Sequence, residues 1–237
     1  MVFARTAAMA FNRYADRRID EKNERTKKRE IPAGIISANA ALALVVISSI
    51  LFVSITFTIN TICFYLSPVA LLVILGYSYT KRFTWFCHLV LGLGLSLAPI
   101  GAYLAVTGKF DWLPLFFSFT VLCWVSGFDI IYALQDVKFD RENKLYSMPA
   151  FFGSKGALML SSVLHVIAAC FVILAGIAGR FGIVYWLGAG GFIFLLVYQH
   201  TLVKPADLSK VNRAFFTTNG IASLLFACFV VAEILFR

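Results

Sequence analysis

Charge is scarce in this chain: 14% of its 237 residues are Asp, Glu, Lys or Arg, against about a quarter in a typical soluble domain. No Pro/Gly/Ser-rich linker interrupts it, so one bundle spanning 1–237 is expected rather than two domains. The five cysteines, Cys63, Cys87, Cys123, Cys170 and Cys228, form no CxxC pair, which argues against a disulfide framework or a zinc site. They read as small hydrophobes. No basic stretch followed by a cleavage site opens the chain, so its first segment is not a signal peptide. The net charge of +9 has no basic aromatic module beside it, and no nucleic acid partner is expected.

What is abundant is apolar surface, at 60% of residues. Seven segments approach the roughly 20 apolar residues that a bilayer helix needs. They fall near 35–57, 61–79, 85–106, 112–134, 156–178, 181–203 and 214–236, and an eighth, incomplete one occupies 1–18. The fold class this predicts is an all-α integral membrane protein, a transmembrane bundle with the lipid bilayer as its solvent. Threading the chain back and forth puts 13–30, 80–84, 135–155 and 204–213 on one side. Those loops hold seventeen of the twenty-one Lys and Arg, which assigns that side to the cytoplasm. With their helix ends they also hold ten of the twelve acidic residues. Acidic residues do not set topology, so their clustering points to function.

Only eleven residues precede Asn12, about 17 Å of helix against a hydrocarbon core of about 30 Å. The expectation is a chain shortened at its N-terminus, lacking at least one upstream helix.

Two acidic stripes carry the chemistry. Asn12, Asp16 and Asp20 are spaced i, i+4, i+8, and Asp129, Tyr132, Asp136 and Asp140 run i, i+3, i+7, i+11. Each set lies along one helix face. Both cross from an apolar span into a loop on the same side, so five carboxylates and an amide converge at one cavity mouth. Without a cation such a set repels itself. Hard oxygen donors suit magnesium, which binds through a few carboxylates plus substrate phosphates. The implied ligand is a magnesium diphosphate with its lipid tail in the apolar interior. Asp20, beside Glu21 and the run 22–30, also fits a solvated or ion-paired helix end. Asp129, between Phe128 and Ile130, does not, because ionisable groups inside a membrane are costly.

These motifs resemble the two signatures of the UbiA superfamily of intramembrane prenyltransferases. The surrounding stretches RTAAMAFNR (5–13), REIPAG (29–34), YSYTKR (77–82) and GFDIIYALQD (127–136) resemble it too. The likeness is strongest to the 4-hydroxybenzoate polyprenyltransferase branch, including its menaquinone-pathway relatives, and covers the whole chain. That family has nine transmembrane helices, so the resemblance implies that the first is lacking here. It implies Mg2+ at Asp16, Asp20, Asp136 and Asp140. It implies diphosphate at Asn12, Asp16, Asp20, Lys81, Arg82, Asp136 and Asp140. It implies catalytic positions at Asp129, which would help orient an aromatic acceptor, at Tyr132, which also fits simple packing, and at Arg5, which also fits a snorkelling or helix-pairing arginine. Arg5 lies seven residues before Asn12 on the same stripe, where a guanidinium suits a carboxylate or diphosphate. Arg29 matches a family position but sits in a basic run. The implied substrates are a polyprenyl diphosphate and an aromatic acid such as 4-hydroxybenzoate, in quinone biosynthesis, with no obligate protein partner. Naphthoate, haem and chlorophyll acceptors remain open within the superfamily.

Two other classes fit less well. An ion-coupled transporter would place its acids on broken helices at the midplane. A CDP-alcohol phosphotransferase would carry them in one contiguous motif. His88, His165 and His200 stand singly in or near apolar spans and read as packed or interfacial. Gly92, Gly94, Gly188, Gly190 and Gly191 read as small residues that let helices approach closely.

Overall fold

The structure, a computed structural model, describes residues 1–236. Among these residues nine α-helices follow one another: α1 Val2–Lys22, α2 Ala38–Ile59, α3 Thr61–Thr80, α4 Cys87–Thr107, α5 Trp112–Ala133, α6 Val137–Glu142, α7 Met148–Ala178, α8 Ile183–Leu202 and α9 Asn219–Phe236. Seven helices are long and apolar enough to cross a membrane, α5 counted with α6 and α9 with the π-helical turn Arg213–Thr218 before it. In lipid a backbone must satisfy its own polar groups, and an α-helix does so within one segment. The apolar spans therefore became helices, with Ile47, Ile50, Leu72 and Val106 left exposed as lipid-facing surface.

Polar residues set the helix ends. The Ser37 hydroxyl accepts from Ala40 N at 3.1 Å and Asp111 Oδ1 from Leu113 N at 3.0 Å, capping α2 and α5. Asn60 caps α3 through Cys63 N at 2.9 Å and donates to the Leu104 carbonyl at 2.8 Å, joining two hairpins. α7 begins at Met148, eight residues before the apolar pattern predicts, because Ser147 caps it and Pro149 suits its first turn. Gly153, at φ 71°, then breaks the helix before the long apolar stretch.

α5 is the central element, packing most extensively on α7 and α4, while α1 lies on α2 and α3 and α8 pairs with α9. Gly92 permits the α4–α5 contact, since a Cβ there would lie 2.2 Å from Ser126 Oγ and 2.5 Å from the Leu122 carbonyl oxygen. Gly188 and Gly191 do the same for α8 against Phe229 and Leu225 of α9. Gly190 faces open space, and Gly94 makes only ordinary contact with Ile74, so those two are not needed for close approach.

Candidate active site

α1 extends to Lys22, a turn past the predicted end, and carries its polar stripe into the segment 23–37. Asp16 is buried near that end. Its Oδ2 accepts from Asn12 Nδ2 at 3.1 Å and lies 3.3 Å from Lys81 Nζ. Arg82 reaches the same residue from the α3–α4 turn, with Nη2 3.5 Å from Asp16 Oδ1 and 2.6 Å from the Ala15 carbonyl oxygen. Its guanidinium also covers the Tyr79 ring. Asn12, Asp16 and Lys81 line a cavity of about 210 Å³, while Arg82 braces Asp16 from outside that lining.

Asp20 departs from its expected place. It is buried but does not line the cavity. Arg29 Nη1 donates to both carboxylate oxygens, at 2.8 and 2.9 Å, and the Asp20 carbonyl accepts from Thr26 Oγ1 at 3.2 Å. At about 100° per residue the stripe drifts by ~80° between Asn12 and Asp20, enough to turn the last carboxylate into the following loop. Arg5 also falls outside the lining: it shares the face of Asn12 two turns earlier but is exposed.

The second motif straddles a break in α5. Asp129 and Tyr132 lie on the regular helix, Asp136 closes the 3-10 turn Leu134–Asp136, and Asp140 sits on α6. All four line the same cavity as Asp16. Asp136 is held from the segment after α1: Arg25 Nε and Asn23 Nδ2 each donate to Oδ1 at 3.1 Å, and Arg25 Nη2 donates to Oδ2. Arg25 Nη1 also donates to the Tyr132 hydroxyl at 2.6 Å, with the guanidinium over that ring. Burial alone lowers the Arg25 pKa, but the hydrogen bond and charge of Asp136 outweigh it and leave it above the ordinary arginine value. The Tyr132 ring stacks on Phe215, 4.0 Å between centroids. Asp140 Oδ2 accepts from Ser147 Oγ at 2.7 Å.

His88 is not the isolated, merely packed histidine the sequence suggests. It is buried at the first turn of α4, lines the cavity, and pairs with Asp129, Nδ1 to Oδ2 at 2.7 Å. His165 and His200 are not isolated either, lying 2.8 Å apart, Nδ1 to Nε2, between α7 and α8. Tyr77, Cys87, Tyr146 and Ser147 complete the cavity wall together with Arg25 and Arg29. Of these, only Arg29 was singled out in the sequence by number, and Tyr77 falls within the stretch YSYTKR. A signal for His88 did exist: it follows the basic turn at Lys81 and Arg82 within two helical turns, on the motifs' own side.

By donor type, Asn12, Asp16, Asp136 and Asp140 fit a hard divalent cation. Among the described residues, however, no three acidic, histidine or cysteine side chains gather closely enough to hold one. The ion pairs account for this, since Lys81 holds Asp16 and Arg25 holds Asp136.

Comparison with known proteins shows the family. The model of the UbiA prenyltransferase family matches residues 1–221. A 4-hydroxybenzoate octaprenyltransferase of Aliivibrio fischeri strain MJ11 is 31% identical over 245 aligned positions, covering 100% of this chain and 82% of that protein. Another, from Shewanella woodyi, is 30% identical over 226 residues, covering 95% and 79%. The apo structure of a UbiA homolog from Aeropyrum pernix K1 superposes with a TM-score of 0.90 at 30% identity, covering 98% of this chain and 86% of that one. A digeranylgeranylglyceryl phosphate synthase shares the fold, with a TM-score of 0.71 at 22% identity over 98% of this chain and 82% of that one. By sequence and fold, this chain belongs to the UbiA prenyltransferase family.

Proposed function

We propose that the chain transfers a polyprenyl group from an allylic polyprenyl diphosphate to an aromatic acid such as 4-hydroxybenzoate, with Mg2+, in quinone biosynthesis. The observation that carries this reading is the set of groups gathered in one cavity. Asp16, Asp136 and Asp140 line it together with Lys81, Arg25 and Arg29. Asp129 and His88, joined to each other, line it too. The curated relatives named for 4-hydroxybenzoate add the acceptor class.

Bound Mg2+ would be held by Asn12, Asp16, Asp136 and Asp140 and would supply charge neutralisation for the leaving diphosphate. Lys81, Arg25 and Arg29, released from their carboxylates, bind the phosphate oxygens. The allylic C–O bond breaks with its electron pair going to the diphosphate. The ring carbon next to the hydroxyl forms the new C–C bond as the hydroxyl proton passes to Asp129. Loss of the ring C–H proton restores aromaticity while Asp129 returns its proton to the oxygen. The net products are prenylated acid, diphosphate and one proton.

The predominance of Lys and Arg in the loops beside the cavity supports an opening on the cytoplasmic side of a bacterial-type plasma membrane. The test is to offer a labelled polyprenyl diphosphate with a panel of aromatic acids and weigh the products. Transfer to 4-hydroxybenzoate above other acids supports the acceptor. Transfer to a naphthoate alone replaces it within the same family.

A further inference from the structure

Two hydrogen bonds decide which ring nitrogen of His88 carries a proton. The Met148 backbone N–H donates to Nε2 at 3.3 Å. An amide N–H has no lone pair to offer along that line, so Nε2 is the bare, accepting nitrogen. Nδ1 therefore bears the hydrogen and donates it to Asp129 Oδ2 at 2.7 Å. An imidazolium would set two N–H groups against each other at Met148, so the geometry holds the neutral Nδ1–H tautomer.

The peptide that imposes this polarity is itself pinned. Tyr146 N donates to the Lys81 carbonyl at 2.7 Å, and Cys87 Sγ donates to the Tyr146 carbonyl at 3.5 Å. Ser147 Oγ donates to Asp140 at 2.7 Å and accepts from Ala150 N at 3.3 Å. Residues 146–148 thus tie the end of α3, the start of α4, α6 and the start of α7 into one wall. His88, only 4% exposed, has little room to swing without breaking both of its bonds.

Asp129 is presented by this arrangement as an acceptor with one oxygen engaged. Oδ2 belongs to His88, while Oδ1 accepts no hydrogen bond among the described residues, and the residue lines the cavity. A group docking on Oδ1 must donate. The hydroxyl of an aromatic acid does so, whereas its carboxylate, an anion without a hydrogen, is repelled.

We propose that His88 is a positioning residue that holds Asp129 as a fixed acceptor for the hydroxyl of the aromatic substrate, directing the substrate's carboxylate away from it. This rests on the prenyl-transfer reading above.

The experiment compares wild type, His88→Ala and His88→Gln in lipid nanodiscs, measuring equilibrium dissociation constants for 4-hydroxybenzoate and 4-methoxybenzoate. The methoxy compound has no hydrogen to donate. His88→Ala is expected to weaken 4-hydroxybenzoate by about tenfold, as loss of one well-aligned hydrogen bond does, and 4-methoxybenzoate by less than about twofold. His88→Gln, whose amide supplies both an N–H and an oxygen, is expected within about threefold of wild type for both ligands. Equal loss for the two ligands in His88→Ala, no loss for either, or a Gln variant as weak as Ala overturns the proposal. Should the Ala variant not assemble, 15N shifts of labelled histidine in the wild type decide it: a protonated Nδ1 and bare Nε2 at His88 support the role, and any other state overturns it. Transfer by wild type with His88 variants that bind both ligands alike defeats only the positioning role. Failure of wild type to prenylate any aromatic acid defeats the underlying reading instead.

Discussion

Arg25 and Asp136 lie 111 residues apart in the chain and meet in one ion pair, with Arg25 Nε 3.1 Å from Asp136 Oδ1 and Nη2 against Oδ2. The guanidinium occupies the Asp136 carboxylate. Under the proposed function Asp136 would help hold Mg2+ and Arg25 would bind a phosphate oxygen, so that loading the site would be an exchange of partners.

Arg25→Ala should therefore have two separable effects. It leaves Asp136 with only the Asn23 hydrogen bond, costing about 1–3 kcal/mol of stability in the absence of ligand. It also frees Asp136, so added Mg2+ should raise the apparent Tm of the variant more than that of the wild type. Thermal unfolding in nanodiscs with and without Mg2+ reads both. An equal Mg2+ response in the two proteins contradicts the exchange.

Asp20 and Asp16 should separate. Asp16 lines the cavity, so Asp16→Asn is expected to lower kcat by on the order of a hundredfold or more. Asp20 holds Arg29 and the segment that follows α1, so Asp20→Asn should mainly loosen that segment, at roughly 1–3 kcal/mol. Limited proteolysis within residues 23–37 alongside turnover distinguishes the two. An Asp20→Asn variant with intact loop protection and a collapsed kcat would return Asp20 to the metal site.

How far the sequence reaches is visible in these residues. Helix periodicity places Asn12 and Asp16 on one stripe and Asp129, Tyr132, Asp136 and Asp140 on another, and the basic loops put both stripes on one side of the bundle. All of these line the cavity. Partnerships between distant elements are a different matter. Nothing local joins His88 to Asp129 forty-one residues away, or Arg25 to Asp136, because those contacts exist only once α4 is packed on α5 and the segment after α1 reaches Asp136. The fate of Asp20 was hidden for a subtler reason. A stripe drawn at four-residue spacing drifts, and one turn decides between cavity and loop. α7 starts early for a similar cause: its first turn is specified by the Ser147 cap and Pro149, not by apolar periodicity.

Gly92 offers a test of the packing that positions the second motif. Gly92→Leu drives a side chain into Ser126 and the Leu122 carbonyl, and α4 and α5 must separate. A loss of roughly 1–3 kcal/mol is expected, together with reduced activity, since His88 and Asp129 sit on those two helices. Gly190→Ala, which meets open space, should stay within about 0.5 kcal/mol of wild type. Thermal stability in one detergent compares them, and equal destabilisation would contradict the packing described.

The most direct measurement is transfer itself. Protein in membranes is incubated with Mg2+, 4-hydroxybenzoate and a labelled polyprenyl diphosphate, and the label is followed by mass. The expected result is one product heavier than the acid by a single prenyl group, dependent on Mg2+ and lost in Asp16→Ala and Asp136→Ala. Product formation undiminished in those two variants, or no transfer to any aromatic acid by the wild type, would contradict the assignment of the two motifs to one prenyl-transfer site.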